Sequence, residues 1–222
     1  MKRMLVWTMA GMLAVGAGAQ TGRELPFQKW ALTPPMGWNS WDCYGPTVVE
    51  DEVKANADYM AEKLAVYGWE YVVVDIRWFV ENDKAGGYNQ TNPIYVYDEW
   101  GRYTPALNRF PSAANGVGFR ALADYVHGKG LKFGIWIEPE MVNPKSELYE
   151  KHPDWVIHYP NREPYYYRNQ MALDLCNPQV QDFVFGVVDK LLNENPDLAY
   201  FKWDCNSMLT NPYSFYLKEN QS

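Results

Sequence analysis

Three apolar runs, each leading into a charged residue, constrain the fold more than any other feature of the sequence. Tyr71-Val72-Val73-Val74 leads into Asp75, Leu131–Ile137 into Glu138, and Leu198-Ala199-Tyr200-Phe201 into Lys202-Trp203-Asp204. Short runs rich in β-branched and aromatic residues suit strands buried on both faces of a parallel sheet. Met36–Trp41 reads as an earlier strand, closed by Gly45-Pro46.

Amphipathic stretches separate these runs. Thr47 and Glu50 form a capping box, and Val53, Ala57, Met60, Ala61 and Leu64 mark one helical face that stops near Gly68. A second helix is expected from about Phe119 to His127, with Leu122, Ala123 and Val126 inward and Gly128 and Gly130 closing it. Asn177-Pro178 caps a third, which buries Val180, Val184, Val187, Val188 and Leu191 and ends over Asn193–Pro196. Met171–Leu175 reads as a short strand beside the strand ends. Residues 80–115, polar and rich in Asn, Gly and Pro, read as a functional loop.

Such alternation makes right-handed βαβ units and a parallel sheet. The expected fold class is α/β, of the (β/α)8 TIM-barrel type, with only the first four βα units. A half-barrel exposes apolar edges and an open core. The chain therefore reads as a fragment, or as one that needs a second copy (a homo-oligomer) or a missing barrel half to close. An open doubly wound sheet is the alternative, although no glycine-rich phosphate loop follows the first strand.

Composition narrows the function. At 47% hydrophobic and 16% aromatic, the 222-residue chain is too apolar for disorder. A formal charge of −7 opposes nucleic acid and tolerates a neutral substrate. Ten Trp and seventeen Tyr can fill a core, and flat rings can also cover the C–H faces of pyranoses. Cys43, Cys176 and Cys205 are odd in number and lack CxxC spacing, so no disulfide framework is expected. His127, His152 and His158 show no HxH or HExxH spacing, so neither a metal nor another cofactor is expected.

The amino terminus reads as an address. Lys2 and Arg3 precede an apolar run from Met4 to Val15, and Ala17-Gly18-Ala19 supplies small residues for cleavage. The expected organisation is a signal peptide over 1–19, a linker over 20–31 and an incomplete barrel catalytic domain over 32–222. The mature chain is expected to be secreted or periplasmic. No later stretch reaches the roughly 18 apolar residues of a membrane span, so no membrane association is expected.

The chemistry concentrates where the last strand ends. In a barrel, such charged groups lie at the carboxyl mouth, where active sites sit. Lys202 and Asp204 are two apart and point the same way along a strand. A carboxylate beside an ammonium stays ionised and can attack an electrophilic carbon. A structural salt bridge would use the same spacing.

These residues also resemble a known clan. Lys202-Trp203-Asp204-Cys205-Asn206 resembles the nucleophile motif of glycoside hydrolase family 36, the α-galactosidases. Phe133-Gly134-Ile135-Trp136-Ile137-Glu138-Pro139-Glu140-Met141-Val142, His152-Pro153-Asp154-Trp155 and Arg168-Asn169-Gln170-Met171-Ala172-Leu173-Asp174 are similar to that family too. Thr33-Pro34-Pro35-Met36-Gly37-Trp38-Asn39-Ser40-Trp41 resembles instead family 27 of the same clan. The likeness covers about residues 32–217, family 27-like at first and family 36-like from about residue 131 onward.

The resemblance implies a retaining hydrolase of α-galactosides, small or oligosaccharide, in which Asp204 forms a covalent glycosyl-enzyme intermediate. Lys202 would hydrogen-bond sugar hydroxyls and keep Asp204 ionised. Trp41 and Trp136 match positions lining the galactose pocket, Arg168 matches a substrate-contacting arginine, and Cys205 and Asn206 close the motif nearby. Taken singly, each tryptophan reads as core; inside these motifs the pocket reading is preferred.

Two departures from the pattern bear on specificity and on turnover. The families place paired acids at the end of strand two to grip the sugar's C4 and C6 hydroxyls, whereas this chain reads Val74-Asp75-Ile76-Arg77-Trp78. Asp75 remains as a substrate-binding acid and Ile76 replaces its partner. A buried hydroxyl without an acceptor costs roughly 1–3 kcal/mol. β-L-Arabinopyranose, which is α-galactose without C6, is therefore a rival substrate. Retention also needs a second carboxyl about 5–5.5 Å from the nucleophile. In the families it comes from a later strand; Glu138 and Glu140 do not match its motif, and Glu138 reads as an orienting residue. A non-catalytic sugar-binding barrel fragment remains a further alternative.

Overall fold

The computed structural model describes residues 25–30, 32–205, 209 and 212–221. The expected signal peptide at 1–19 and site residue Asn206 lie outside them. The chain divides into two units, Met1–Pro34 and Pro35–Ser222. In the first, the described residues hold one 3-10 turn, Pro26–Lys29.

The second unit is built on a parallel sheet. Its first strand, β1 (Gly37–Asn39), is followed by a one-turn helix, α1 (Trp41–Tyr44), and then by α2 (Glu50–Tyr59). Next come β2 (Tyr71–Val74), α3 (Arg120–Gly128) and β3 (Lys132–Ile137). The chain continues through β4 (Met141–Val142), α4 (Glu147–Lys151), β5 (Tyr166–Tyr167), β6 (Gln170–Ala172), α5 (Pro178–Glu194) and β7 (Tyr200–Trp203). The main sheet runs β1-β2-β3-β7, all parallel; β4, β6 and β5 form a small antiparallel sheet. The four expected strands and three intervening helices are thus present in an α/β arrangement. The described sheet is open, not a closed barrel.

Element ends differ from the expectations for local reasons. The first strand stops at Asn39, two residues short, because the Asn39 and Ser40 side chains turn to Asp75 and Trp41 starts α1. The capping box at Thr47 and Glu50 does not form. The Thr47 hydroxyl donates to the Tyr44 carbonyl, while the Glu52 carboxylate accepts from the Val49 amide. Glu50 is buried and accepts from Lys54 and from the Ser112 amide. The first helix continues past Tyr59 through a π-helical turn, Met60–Leu64, and a 3-10 turn, before Gly68 ends it at φ 88°. Asn177 caps α5 as expected, its side chain accepting from the Gln179 amide at 2.9 Å.

The core lies between the sheet and its helices. Val53, Ala57 and Met60 of the first helical segment, Leu122 and Val126 of α3, and Leu191 of α5 pack against Val72, Val74, Phe133 and Ile135. The segment after β2 is ordered without regular strands. Phe79 and Tyr103 stack with centroids 3.8 Å apart, and isolated bridges join Val80 to Tyr95 and Tyr97 to Tyr103. The buried guanidinium of Arg109 donates to the carbonyls of Val48, Arg77 and Val80, fastening that segment to the start of α2.

Gly37 permits the closest approach in the sheet: a Cβ there would lie 2.1 Å from the Tyr71 carbonyl oxygen. Gly37→Ala is expected to destabilise the protein by about 2 kcal/mol or more, because the clash is with backbone that cannot rotate away. Gly186→Ala in α5, where a Cβ meets nothing within 4 Å, is expected to gain roughly 0.5–1 kcal/mol. Urea unfolding of the two variants checks both signs.

Candidate active site

The sheet's register brings the charged strand ends into one row. Ile135 pairs with Val74 and Trp136 with Lys202, so Asp75 falls beside Trp136 when the register is continued by one residue. Register partners in a parallel sheet present side chains to the same face. Lys202 extends along this row and donates to Asp75 Oδ2 at 2.8 Å. The same oxygen accepts from Asn39 Nδ2 at 2.7 Å, and Oδ1 accepts from the Ile76 amide at 2.8 Å. The Asp75 amide in turn donates to Ser40 Oγ. A carboxylate only 2% exposed is therefore satisfied on both oxygens.

Asp204 lies just beyond β7, half-buried. Its amide donates to the Ile137 carbonyl at 2.9 Å, prolonging the pairing with β3. Its Oδ2 accepts from Trp136 Nε1 at 2.9 Å and its Oδ1 from the Cys205 amide at 3.0 Å. Trp136 is itself fixed: its ring is 2% exposed and its carbonyl accepts from Trp78 Nε1. The carboxylate is thus held in one orientation by an immobile indole. Spacing set the Lys202 ammonium beside Asp204; it pairs instead with Asp75, and Trp136 orients Asp204.

The other expected residues divide. Trp41 opens α1, 38% exposed, and stacks on Tyr88 with centroids 5.6 Å apart. Arg168, half-buried at φ 52°, sets its guanidinium over the rings of Tyr88 at 5.0 Å and Tyr167 at 5.1 Å. Three groups result: Asp75 with Lys202, Trp136 with Asp204, and Trp41 with Arg168 through Tyr88; strand register sets Trp136 beside Lys202, and Asn39 bonds both the Trp41 amide and Asp75. Cys205 is exposed and contributes its backbone amide. Glu138 is buried past the end of β3, and Glu140 accepts from Trp203 Nε1 at 3.0 and 3.1 Å. Ile76, only 5% exposed, lines a small pocket with Arg77 and Arg168.

Asn39, Ser40 and Tyr88 were not among the expected site residues. Asn39 and Ser40 lie inside the Trp38-Asn39-Ser40-Trp41 motif, a signal that could have found them. Tyr88 lies within residues 80–115, which read as a functional loop, but no periodicity singles it out there.

Removing the cation should expose the role of this cluster. Lys202→Met is expected to lower stability by about 1–3 kcal/mol, by stranding a buried carboxylate. Adding Asp75→Asn to Lys202→Met should recover much of that loss, because a neutral amide needs no counter-ion. Thermal and urea unfolding of the single and double variants measure the coupling.

Comparison with known proteins places this geometry in context. Residues 29–222 match the Melibiase family. The α-galactosidase Mel36A of Lactobacillus acidophilus is 36% identical over 187 residues, covering 84% of this chain and 23% of that protein. The chain thus spans about a quarter of the length of the curated relatives it matches. Among solved structures, a variant of the family 36 α-galactosidase AgaA of Geobacillus stearothermophilus, in complex with stachyose, superposes with a TM-score of 0.67 at 31% identity. That match covers 88% of this chain and 24% of the other. A variant of a family 27 β-L-arabinopyranosidase from the same organism, in complex with arabinose, superposes at 0.69 and 36% identity, covering 81% of this chain and 42% of the other.

Proposed function

The chain belongs to the Melibiase family, and from that premise we propose that it supplies the nucleophile side of a retaining glycosidase acting on terminal α-D-galactosyl groups. The supporting observation is the Asp204 carboxylate, half-buried at the end of β7 and oriented by the Trp136 indole. An ionised carboxylate so held can attack an anomeric carbon without first losing rotational freedom. The four parallel strands correspond, in this proposal, to the first four βα units of a (β/α)8 barrel whose carboxyl ends form the sugar site. The α-galactosidase names of the relatives favour galactosides, and the stachyose complex of AgaA favours oligosaccharides.

The step proceeds in two halves. Asp204 Oδ displaces the aglycone oxygen, which takes a proton from a general acid, and forms a glycosyl ester. Water then cleaves the ester, giving its proton to the same group. Neither Glu138 nor Glu140 is assigned that task. Glu140 is engaged by Trp203, and a general acid from the remaining barrel strands completes the reaction in this proposal. Export as a secreted or periplasmic protein belongs to the same proposal, supported by the basic and apolar pattern of residues 2–19.

A second reading rests on Ile76. Its buried side chain stands next to Asp75, where a C6 hydroxyl would look for a second acceptor, and the β-L-arabinopyranosidase is among the similar structures. Aryl α-galactoside and aryl β-L-arabinopyranoside, assayed in competition, separate the two. The galactoside is expected to react faster, and Asp204→Ala is expected to abolish hydrolysis while leaving sugar affinity largely intact. Preference for the arabinopyranoside would transfer the assignment to the second reading. Unchanged hydrolysis in Asp204→Ala would refute both.

A further inference from the structure

We propose that Tyr88 is a substrate-binding residue of this site, its phenol hydrogen-bonding a hydroxyl of the bound pyranose that Asp75 cannot serve alone. The inference rests on the glycosidase reading above. It begins with the acceptors already in use: Asp75 Oδ2 takes hydrogen bonds from both Asn39 and Lys202, and Oδ1 takes one from the Ile76 amide. Little acceptor capacity is left at the end of β2, and the neighbouring side chain, Ile76, offers none. A sugar hydroxyl arriving there needs another polar partner.

Tyr88 supplies one. Its ring joins Trp41 to Arg168, stacked on the first at 5.6 Å and lying under the second at 5.0 Å. Those two residues are otherwise in different parts of the chain, and Tyr88 is what brings them into one wall. The ring is half-buried, and no protein group bonds its hydroxyl among the described residues. Burial pushes the phenol above its usual range; the Arg168 and Arg77 cations oppose that shift and the Asp75 and Asp83 carboxylates add to it. The proton is therefore retained at neutral pH, and the hydroxyl can both donate to and accept from a neutral sugar.

The loop is built to hold this ring still. Arg77 adopts φ 69°, a left-handed conformation strained for a non-glycine residue. From there its buried guanidinium pairs with Asp83 at 2.9 Å, donates to the Asn89 carbonyl at 3.2 Å and lies 4.9 Å from the Tyr88 ring centre. Asn89 is buried, its amide bonded to Asp83 Oδ1, and Asn169 donates to Gln90. The residues following Tyr88 are thus tied both to the end of β2 and to the Arg168 loop.

The test is equilibrium binding of D-galactose to the full chain, with Tyr88→Phe and Tyr88→Ala alongside and thermal unfolding as the folding control. Tyr88→Phe keeps the stack and removes only the hydroxyl; it is expected to weaken galactose about three- to tenfold with an unchanged melting temperature. Tyr88→Ala should weaken binding further. Monodeoxy galactoses then name the partner: one of them should bind the unsubstituted protein and Tyr88→Phe equally. Unchanged affinity in Tyr88→Phe, or a panel in which every deoxy sugar still discriminates between the two proteins, would overturn the assignment. Absence of galactose binding by the unsubstituted protein would overturn the glycosidase reading itself, and this inference with it.

Discussion

One buried carboxylate ties the carboxyl ends of the sheet together. Asp75 accepts from Asn39 at the end of β1, from Lys202 on β7 and from its own neighbour's amide, so three strands converge on a group only 2% exposed. Burying a charge is costly unless it is paired and hydrogen-bonded. Here the cost is offset by partners whose positions follow from the parallel register. The same convergence leaves the Trp136 indole free to hold Asp204, since no competing donor is needed at Asp75.

That division of labour was partly legible. The β2 and β3 strands could be read almost to the residue, because Tyr71–Val74 is apolar throughout and Leu131–Ile137 is interrupted only by Lys132 and Gly134. Helix α5 was legible from the Asn177-Pro178 start and the spacing of Val180, Val184 and Leu191. The partner of Lys202 was not. Spacing along one strand says which residues share a face, whereas the choice between Asp204 and Asp75 depends on cross-strand register. The first helix start was misread for a similar reason: Glu50 looks like a local cap, but a distant Ser112 amide claims its carboxylate and leaves capping to Glu52. Tyr88 had no periodic signal at all; only the folded loop brings it between Trp41 and Arg168.

The loop after β2 carries much of what distinguishes this site. Ile76 takes away a polar side chain beside Asp75, while Arg77, in a left-handed conformation, turns the chain so that Tyr88 returns over the same region. Strain of this kind persists when surrounding contacts over-determine it, and the Asp83 pair, the Asn89 carbonyl and the Arg109 guanidinium provide those contacts. The rigid strands fix Asp204, the proposed nucleophile, and in this proposal the loop shapes what reaches it.

The claim on which all of this depends is that Asp204 makes the bond to the sugar. Incubation with an activated, 2-fluorinated α-galactosyl donor slows breakdown of the ester more than its formation, and peptide mass spectrometry locates the label. The account predicts a galactosyl adduct on Asp204, greatly reduced in Trp136→Phe, which lacks the orienting indole N–H. An adduct on any other residue, or labelling indifferent to Trp136, would contradict it.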